Sequence, residues 1–221
     1  MFTQLGTFFM AGGFWMYPIL LVQIASMALI FERYYALYLK RSLNARDIVD
    51  HMEKDIKSAQ FEQVVAKTHR SGNEALTALT KVGVQSTIDH SGREELQHKM
   101  DEILIEESGR VDSRLGFISM LANVATLLGL LGTIVGLIKS FSGIANAGAA
   151  EKARLLAEGV GEAMSATAYG LIVAVPALIA FAILQNRANT LVEDLHKAAL
   201  RMYIWLGFNV ETVSSRKLRA K

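Results

Sequence analysis

The chain has 221 residues, of which 52% are hydrophobic and 20% are charged, with 23 Lys+Arg against 21 Asp+Glu. Charged residues are absent from three stretches, which run over residues 1–31, 115–138 and 163–186. A helix needs about 20 apolar residues to cross a bilayer core, and the last two stretches are long enough with some tilt. This distribution excludes a soluble enzyme and a disordered chain. The absence of cysteine excludes a disulfide scaffold, and the net charge of +2 argues against a nucleic-acid binder.

The first apolar stretch is predicted to span the membrane from Phe14 to Phe31, ending at Glu32 and Arg33. Residues 1–13 carry no charge, and no clear cleavage site of small residues follows the stretch. A secretory signal peptide has a positively charged N-terminal region and a cleavage site, so we expect a retained transmembrane helix instead.

The lysines and arginines beside the spans predict their orientation, because cytoplasmic flanks are enriched in positive charge. None precedes the first span, whereas Arg33, Lys40 and Arg41 follow it. We therefore expect an all-α membrane protein with three transmembrane helices, long cytoplasmic helical extensions, the N-terminus outside and the C-terminus inside. The predicted segments are a periplasmic N-terminus (1–13), transmembrane helix 1 (14–33), a cytoplasmic helical region (34–114), transmembrane helix 2 (115–140), a periplasmic loop (141–160), transmembrane helix 3 (161–186) and a cytoplasmic C-terminal helix and tail (187–221).

The predicted cytoplasmic region is helical because its apolar residues recur at helical spacing, as at Ile48, Met52 and Ile56. Ser91-Gly92 followed by two glutamates predicts a helix start. From there we expect one uninterrupted helix from Glu94 to Ile138, with Gly109 and Gly116 as its only weak points. Transmembrane helix 3 is expected to continue in the same way over 187–210.

Transmembrane helix 2 carries polar residues at helical spacing on one face. They are Ser119, Asn123, Thr126, Thr133 and Ser140. Such a face in lipid is a helix–helix contact in one interpretation, since hydroxyls and amides hydrogen-bond between helices. In the other it lines a cavity filled by water or by a partner, and the spacing does not choose between the two.

The same helix has a line of glycines, Gly129, Gly132 and Gly136. A nucleotide-binding loop is excluded, because no strand precedes them and no Gly-Lys-Ser/Thr follows. Small residues let helices approach closely, and transmembrane helix 3 offers a matching line. Its members are Ala163, Ala166, Gly170, Ala174 and Ala177. Pro176, also on helix 3, is either a tolerated kink or a flexible point in a moving pore.

Between their charged ends the spans contain no Asp, Glu, Lys or Arg, and the five histidines all lie outside them. Glu32 and Glu162 stand only at the predicted membrane edges. Proton pathways normally need an intramembrane ionisable group, so any titrating carboxylate would have to come from another protein. The spans also lack a catalytic or metal-binding constellation, and we expect neither an enzyme nor a cofactor.

Two segments resemble the MotA/TolQ/ExbB proton-channel family. The first is Leu128-Gly-Leu-Leu-Gly-Thr133-Ile-Val-Gly136-Leu-Ile-Lys-Ser-Phe141, and the second is Gly161-Glu162-Ala-Met-Ser-Ala-Thr167-Ala-Tyr-Gly170-Leu-Ile-Val-Ala-Val-Pro176-Ala. Three spans resemble the ExbB/TolQ branch more than the four-span MotA branch.

The resemblance implies a pentamer in the bacterial inner membrane around an ExbD/TolR-like partner, whose single span supplies an Asp. Thr133 and Thr167 match the family's pore threonines, and Glu162 and Pro176 match other marked positions. Asn123 and Thr126 are added as candidates for the proton pathway because they lie on the same polar face. Gly129, Gly132, Gly136, Gly170 and Pro176 are predicted to serve packing or hinge roles. Lipids are the only other expected partner, with no nucleic acid.

This chain departs from the family at Thr126, where many members have proline, and in the run Ala180-Phe181-Ala182, where a polar residue is common. The alternative to a proton-driven motor subunit is a passive scaffold that assembles a partner complex without proton flux. A membrane enzyme or permease lacks any convergent charged groups to support it. The process that such a motor would energise, whether nutrient uptake, envelope maintenance or motility, is left open.

Overall fold

A computed structural model describes residues 12–40, 48–50, 53–58, 60–70, 73–89, 91–144 and 148–219. The helices are α1 (Met16–Tyr34), α2 (Glu53–Lys57), α3 (Phe61–Arg70), α4 (Glu74–Ile88), α5 (Arg93–Asp112), α6 (Leu115–Gly143) and α7 (Ala149–Arg219), and a π-helical segment, Tyr35–Lys40, follows α1. No strand occurs among the described residues, and three helical stretches are long and apolar enough to cross a membrane. The all-α class with three candidate spans is thereby confirmed. The orientation stays a prediction, and Met52 and residues 1–11 lie outside the described residues.

The chain divides into two compact units. The membrane unit comprises Met1–Tyr34 and Arg114–Leu184, and the extramembrane unit comprises Tyr35–Ser113 and Gln185–Lys221. Helix α7 contributes its first part to one unit and its second part to the other.

In the membrane unit, α1 packs against α6 and against the first part of α7. The buried core contains Ile19 of α1, Ala122 and Ala125 of α6, and Val173 and Ala174 of α7. Large apolar side chains lie on the outer faces instead, as at Leu127, Ile134, Ile172 and Ile179. This inversion, with small residues inside and large ones outside, is typical of helices that pack in lipid.

In the extramembrane unit, α3, α4 and α5 bury their apolar residues with the second part of α7. The core residues recur every three or four positions along each helix, as at Leu96, Met100 and Leu104 of α5. The Asn73 side chain accepts a hydrogen bond from the Leu76 backbone N–H at 3.1 Å and caps the start of α4. The unit thus has an ordinary amphipathic helical core.

Helix α5 begins directly after Gly92, as predicted, but the expected uninterrupted helix from Glu94 to Ile138 is wrong. Helix α5 ends at Asp112, and Arg114 adopts a left-handed backbone with φ 62° before α6 begins. The Arg114 guanidinium donates to the Glu32 carboxylate at 2.6 Å, which ties the break to the end of α1. Gly109 and Gly116, the predicted weak points, lie inside helices.

Helix α7 continues past the third span through residues 187–210, as predicted. Pro176 lies inside this helix without ending it. In the last part of α7 that belongs to the extramembrane core, Leu195, Met202 and Leu206 are buried. One helix therefore supplies both the third span and the central core element of the other unit.

Arg114 provides a test of the break. Both Arg114→Gly and Arg114→Ala lose the ion pair with Glu32, but only alanine keeps the steric cost of a left-handed backbone, roughly 1 kcal/mol. Glycine's greater freedom in the unfolded chain offsets part of that difference. We expect the glycine variant to melt at the higher temperature in detergent, followed by circular dichroism. An alanine variant as stable as the glycine variant would contradict the left-handed assignment.

Candidate functional site

The lines of small residues on α6 and α7 lie against each other. Gly129 faces Gly170, Gly132 faces Ala166, and Gly136 faces Ala163. From one pair to the next, the position advances by three or four residues along α6 and goes back by three or four residues along α7. The two helices therefore run antiparallel. At the end of this seam Ser140 of α6 packs on Gly159 of α7.

The approach along the seam is too close for larger side chains. A Cβ added at Gly170 would lie 2.7 Å from the Ala125 carbonyl oxygen and 3.2 Å from the Gly129 Cα. A Cβ at Gly132 would lie 2.7 Å from the Ala166 Cβ and 3.3 Å from the Trp15 Cβ of the segment that leads into α1. Backbone atoms cannot rotate away as a flexible side chain can, so glycine is needed here for close approach.

The polar face of α6 lies beside this seam, on the surface of the unit. Asn123 is exposed, and Ser119, Thr126 and Thr133 are half-buried. Each of the four follows a buried residue of α6 by one position. The Thr133 hydroxyl donates to the Leu130 carbonyl at 2.6 Å, and the Thr126 hydroxyl donates to the Asn123 carbonyl at 2.7 Å. We call Ser119, Asn123, Thr126 and Thr133 the polar strip.

Ser140 does not belong to the strip, and its predicted place there is wrong. Its side chain is buried in the seam and its hydroxyl donates to the Gly136 carbonyl at 3.1 Å. The reason is the helical period: seven residues fall about 20° short of two full turns, so a series of sevens drifts around the helix.

Thr167 of α7 joins the two helices directly. Its half-buried hydroxyl donates to the Gly129 carbonyl of α6 at 2.9 Å. The side chain therefore sits at the seam, close to the level of Thr133 but bonded across the interface rather than within its own helix. Such interhelical hydrogen bonds contribute about 0.6 kcal/mol on average in membrane proteins.

Glu162 lies where three segments meet. Its carboxylate accepts from the Lys139 ammonium of α6 at 3.1 Å. It also occupies the space in which a Cβ on Gly13 would lie, and Gly13 has a left-handed backbone with φ 67°. The left-handed backbone favours glycine at position 13, whereas the Glu162 carboxylate is the end of a flexible side chain. Sequence reasoning missed this contact, since nothing in the sequence relates residues 13 and 162.

A polar contact at membrane depth was also missed. The Tyr169 hydroxyl of α7 donates to the Gln23 side-chain oxygen of α1. The sequence signal for this contact was the presence of a Gln within the first span and a Tyr within the third. Polar groups in lipid form hydrogen bonds with neighbouring helices.

Among the described residues, no group of three or more His, Cys, Asp or Glu could hold a metal ion. Pro176 lies within α7 and is followed directly by the buried Ala177. The structure therefore brings together Gly129, Gly132, Gly136, Gly170 and Thr167 at the seam. It places Asn123, Thr126 and Thr133 beside the seam and Glu162 at its end.

The seam predicts different outcomes for one substitution at two positions of α7. Gly170→Ala places a methyl group against the Ala125 carbonyl and should destabilise the protein by about 1–3 kcal/mol, since backbone must move. Gly161→Ala, where a Cβ would meet nothing within 4 Å, should leave stability unchanged or raise it. Thermal unfolding in one detergent compares the two, and equal melting temperatures would refute the close contact.

Comparison with known proteins shows the family of the chain. The family model described as the MotA/TolQ/ExbB proton channel family matches residues 71–197. A protein of Synechocystis sp. named biopolymer transport protein ExbB-like 1 is 31% identical over 181 residues, which cover 80% of this chain and 68% of that protein.

Two further relatives match shorter parts of the chain. Biopolymer transport protein exbB1 of Vibrio cholerae is 35% identical over 103 residues, 47% of this chain and 45% of that protein. Tol-Pal system protein TolQ of Haemophilus influenzae is 33% identical over 95 residues, 43% of this chain and 41% of that protein. The chain thus spans about two thirds of the first relative and less than half of these two.

Proposed function

Because the chain belongs to the MotA/TolQ/ExbB proton channel family, ExbB/TolQ-like branch, we propose that it is the channel subunit of a proton-driven motor in the bacterial inner membrane. Members of this family are channel and motor subunits and not enzymes. In the proposal, several copies, five by resemblance, surround an ExbD/TolR-like partner with one span. The partner contributes the membrane Asp, and proton flow drives its motion.

The observation that carries the proposal is the polar strip, in which Asn123 is exposed and the other three residues are half-buried. It lies on a span that holds no Asp, Glu, Lys, Arg or His between its charged ends. An amide such as that of Asn123 is costly to leave in hydrocarbon without a partner. We therefore infer that the strip faces water or protein in the assembly. Hydroxyls and amides can hydrogen-bond a carboxylate in either protonation state, which suits a surface against which a partner's Asp gains and loses a proton.

The strip's hydroxyls fit this task. Thr126 and Thr133 donate to carbonyls of their own helix and keep acceptor lone pairs that can receive a proton donor from water or a carboxylic acid. Thr167 is proposed to act at the same level from α7, and Glu162 at the outer end of the pathway. Each charge that crosses 100 mV releases about 2.3 kcal/mol, which is available for motion of the partner.

A passive scaffold is the second candidate function, and the glycine seam is compatible with it. Close packing of α6 on α7 explains the glycines fully without any proton movement. The seam does not explain the polar strip, which lies outside it. The two functions therefore differ in what the strip's hydroxyls are required to do.

Thr133→Val removes a strip hydroxyl, keeps the side-chain shape and leaves no interhelical bond broken, since this hydroxyl bonds only within α6. We expect proton flux to fall at least tenfold, while Thr133→Ser retains most of it. Flux is measured by acidification of vesicles that hold the chain with the single-span partner that co-purifies from native membranes.

The control for that experiment is Ile134→Val, which alters an exposed apolar neighbour outside the strip. All variants must co-purify the partner equally. Full flux in Thr133→Val would remove the hydroxyl from the mechanism, and failure to find any partner with a membrane carboxylate would favour the scaffold.

Glu162→Gln separates a proton-carrying role from a positional one. The amide keeps the size needed to fill the space over Gly13 and still accepts from Lys139, but it cannot take up a proton. We expect reduced flux with an unchanged melting temperature. Unchanged flux would take Glu162 out of the proton pathway and leave its contact with Gly13 as its role.

A further inference from the structure

An open apolar groove runs between α3 and α4 in the extramembrane unit, with a volume of about 660 Å³. Phe61, Val65, Ala66 and Ile88 line its apolar part, and 52% of the Ile88 side chain is exposed. An apolar groove of this kind between two helices is a common docking site for the apolar face of another helix.

The rim of the groove is mainly basic. Arg70 and Lys81 stand on it with His69, against the single carboxylate of Glu62. Within the part of the chain that the structure describes, no ion pair reaches Arg70 or Lys81. The nearby Lys67 is paired with Asp55 and is not available in the same way. A fitting occupant therefore combines an apolar anchor with acidic neighbours.

The outer face of α5 has this composition. Ile105, at its centre, is 75% exposed, although large apolar side chains in this unit are otherwise mostly in the core. Asp101 lies one turn before it on the same face, and Glu102 lies beside Asp101. Neither carboxylate has an ion-pair partner among the described residues, whereas Glu95 and Glu106 nearby are paired with Lys99 and Arg110.

We propose that the α3–α4 groove of one copy receives the acidic outer face of α5 from a second copy, with Ile105 as the anchor. The inference rests on the homo-oligomer of the proposed function and names the surfaces that join its subunits outside the membrane. Asp101 and Glu102 of one copy then meet Arg70 and Lys81 of the next. Opposite charges brought together in this way set the register and suppress other pairings.

The two surfaces are different patches of the unit. Helix α5 buries Leu96, Met100 and Leu104 in the core, so its acidic face points away from the unit. The groove is formed by α3 and α4. Two different patches that join head-to-tail give a heterologous contact, which closes into a ring when the rotation between copies permits. A two-fold dimer could also pair them reciprocally, and it would give cross-linked dimers but no higher species.

The chain's own C-terminal tail is a less suitable occupant. It carries Arg216, Lys217 and Arg219, which Arg70 and Lys81 on the groove rim would repel. Charge therefore favours α5 over the C-terminal tail as the occupant of the groove.

The natural absence of cysteine allows a direct test, because every thiol can be placed by choice. The full-length double variant Ile105→Cys with Ala66→Cys, oxidised in native membranes, should give a ladder of cross-linked species on denaturing gels. Each single variant should give none. The matched control is Ile105→Cys with Gln63→Cys, because Gln63 is exposed on α3 but does not line the groove.

The charges are tested in the same background. Lys81→Glu should lower the yield of the ladder at least fivefold, and adding Glu102→Lys should restore it. If neither Lys81→Glu nor Glu102→Lys alters the yield of the ladder, the electrostatic part of the proposal is overturned. Dimers from Ile105→Cys alone would overturn the head-to-tail arrangement.

Failure of the docking and failure of the proposed function give different results. If the chain forms an oligomer on native gels and conducts protons in vesicles but gives no cross-linked ladder, only the docking proposal is overturned. A chain that is monomeric under all mild detergents and in membranes overturns the homo-oligomer, and the docking falls with it. A ladder in the groove pair that is absent from the Gln63 control establishes the interface.

Discussion

The close approach of α6 and α7 along the glycine seam is the contact on which the rest of the membrane unit depends. In lipid, helices gain nothing from burying apolar area against one another, so association relies on close packing and on polar contacts. The Gly129–Gly170 contact provides that closeness. It also sets the rotation of α6, because the seam positions must face α7 and the residues that follow them by one must then lie beside it. The polar strip lies at the surface beside the seam for this reason.

Polar contacts complete the unit at several depths. Tyr169 bonds to Gln23, Thr167 bonds to the Gly129 carbonyl, and Arg114 bonds to Glu32 at the end of α1. Helix α1, which lacks a line of glycines, packs on α6 and α7 through apolar residues such as Ile19 and is joined to them by the Tyr169–Gln23 and Arg114–Glu32 contacts. The seam thus joins α6 to α7, and apolar packing together with polar contacts attaches α1 to both.

Much of this arrangement can be predicted from the sequence, because it follows from local periodicity. The three spans, the all-helical fold and the small-residue lines at Gly129 and Gly170 are repeats of three and four residues that any helix displays. The break at Arg114 cannot be predicted in the same way, since a non-glycine residue takes a left-handed backbone only where tertiary contacts require it. The contact of Glu162 with Gly13 joins residues far apart in sequence, and no pattern in one chain reveals it. The position predicted for Ser140 is wrong because residues spaced seven apart do not stay on one face of an α-helix.

The absence of ionisable groups from the spans has a consequence for coupling in the proposed motor. If the chain held its own membrane carboxylate, protons could cross whenever water reached that group, whether or not the partner was present. A surface of hydroxyls and one amide can form hydrogen bonds but contains no group that carries a charge. The energetic barrier to a bare charge in hydrocarbon then remains until another chain supplies the titrating group. In the proposed motor, conduction therefore depends on the partner, and each proton that passes engages the chain whose motion it drives.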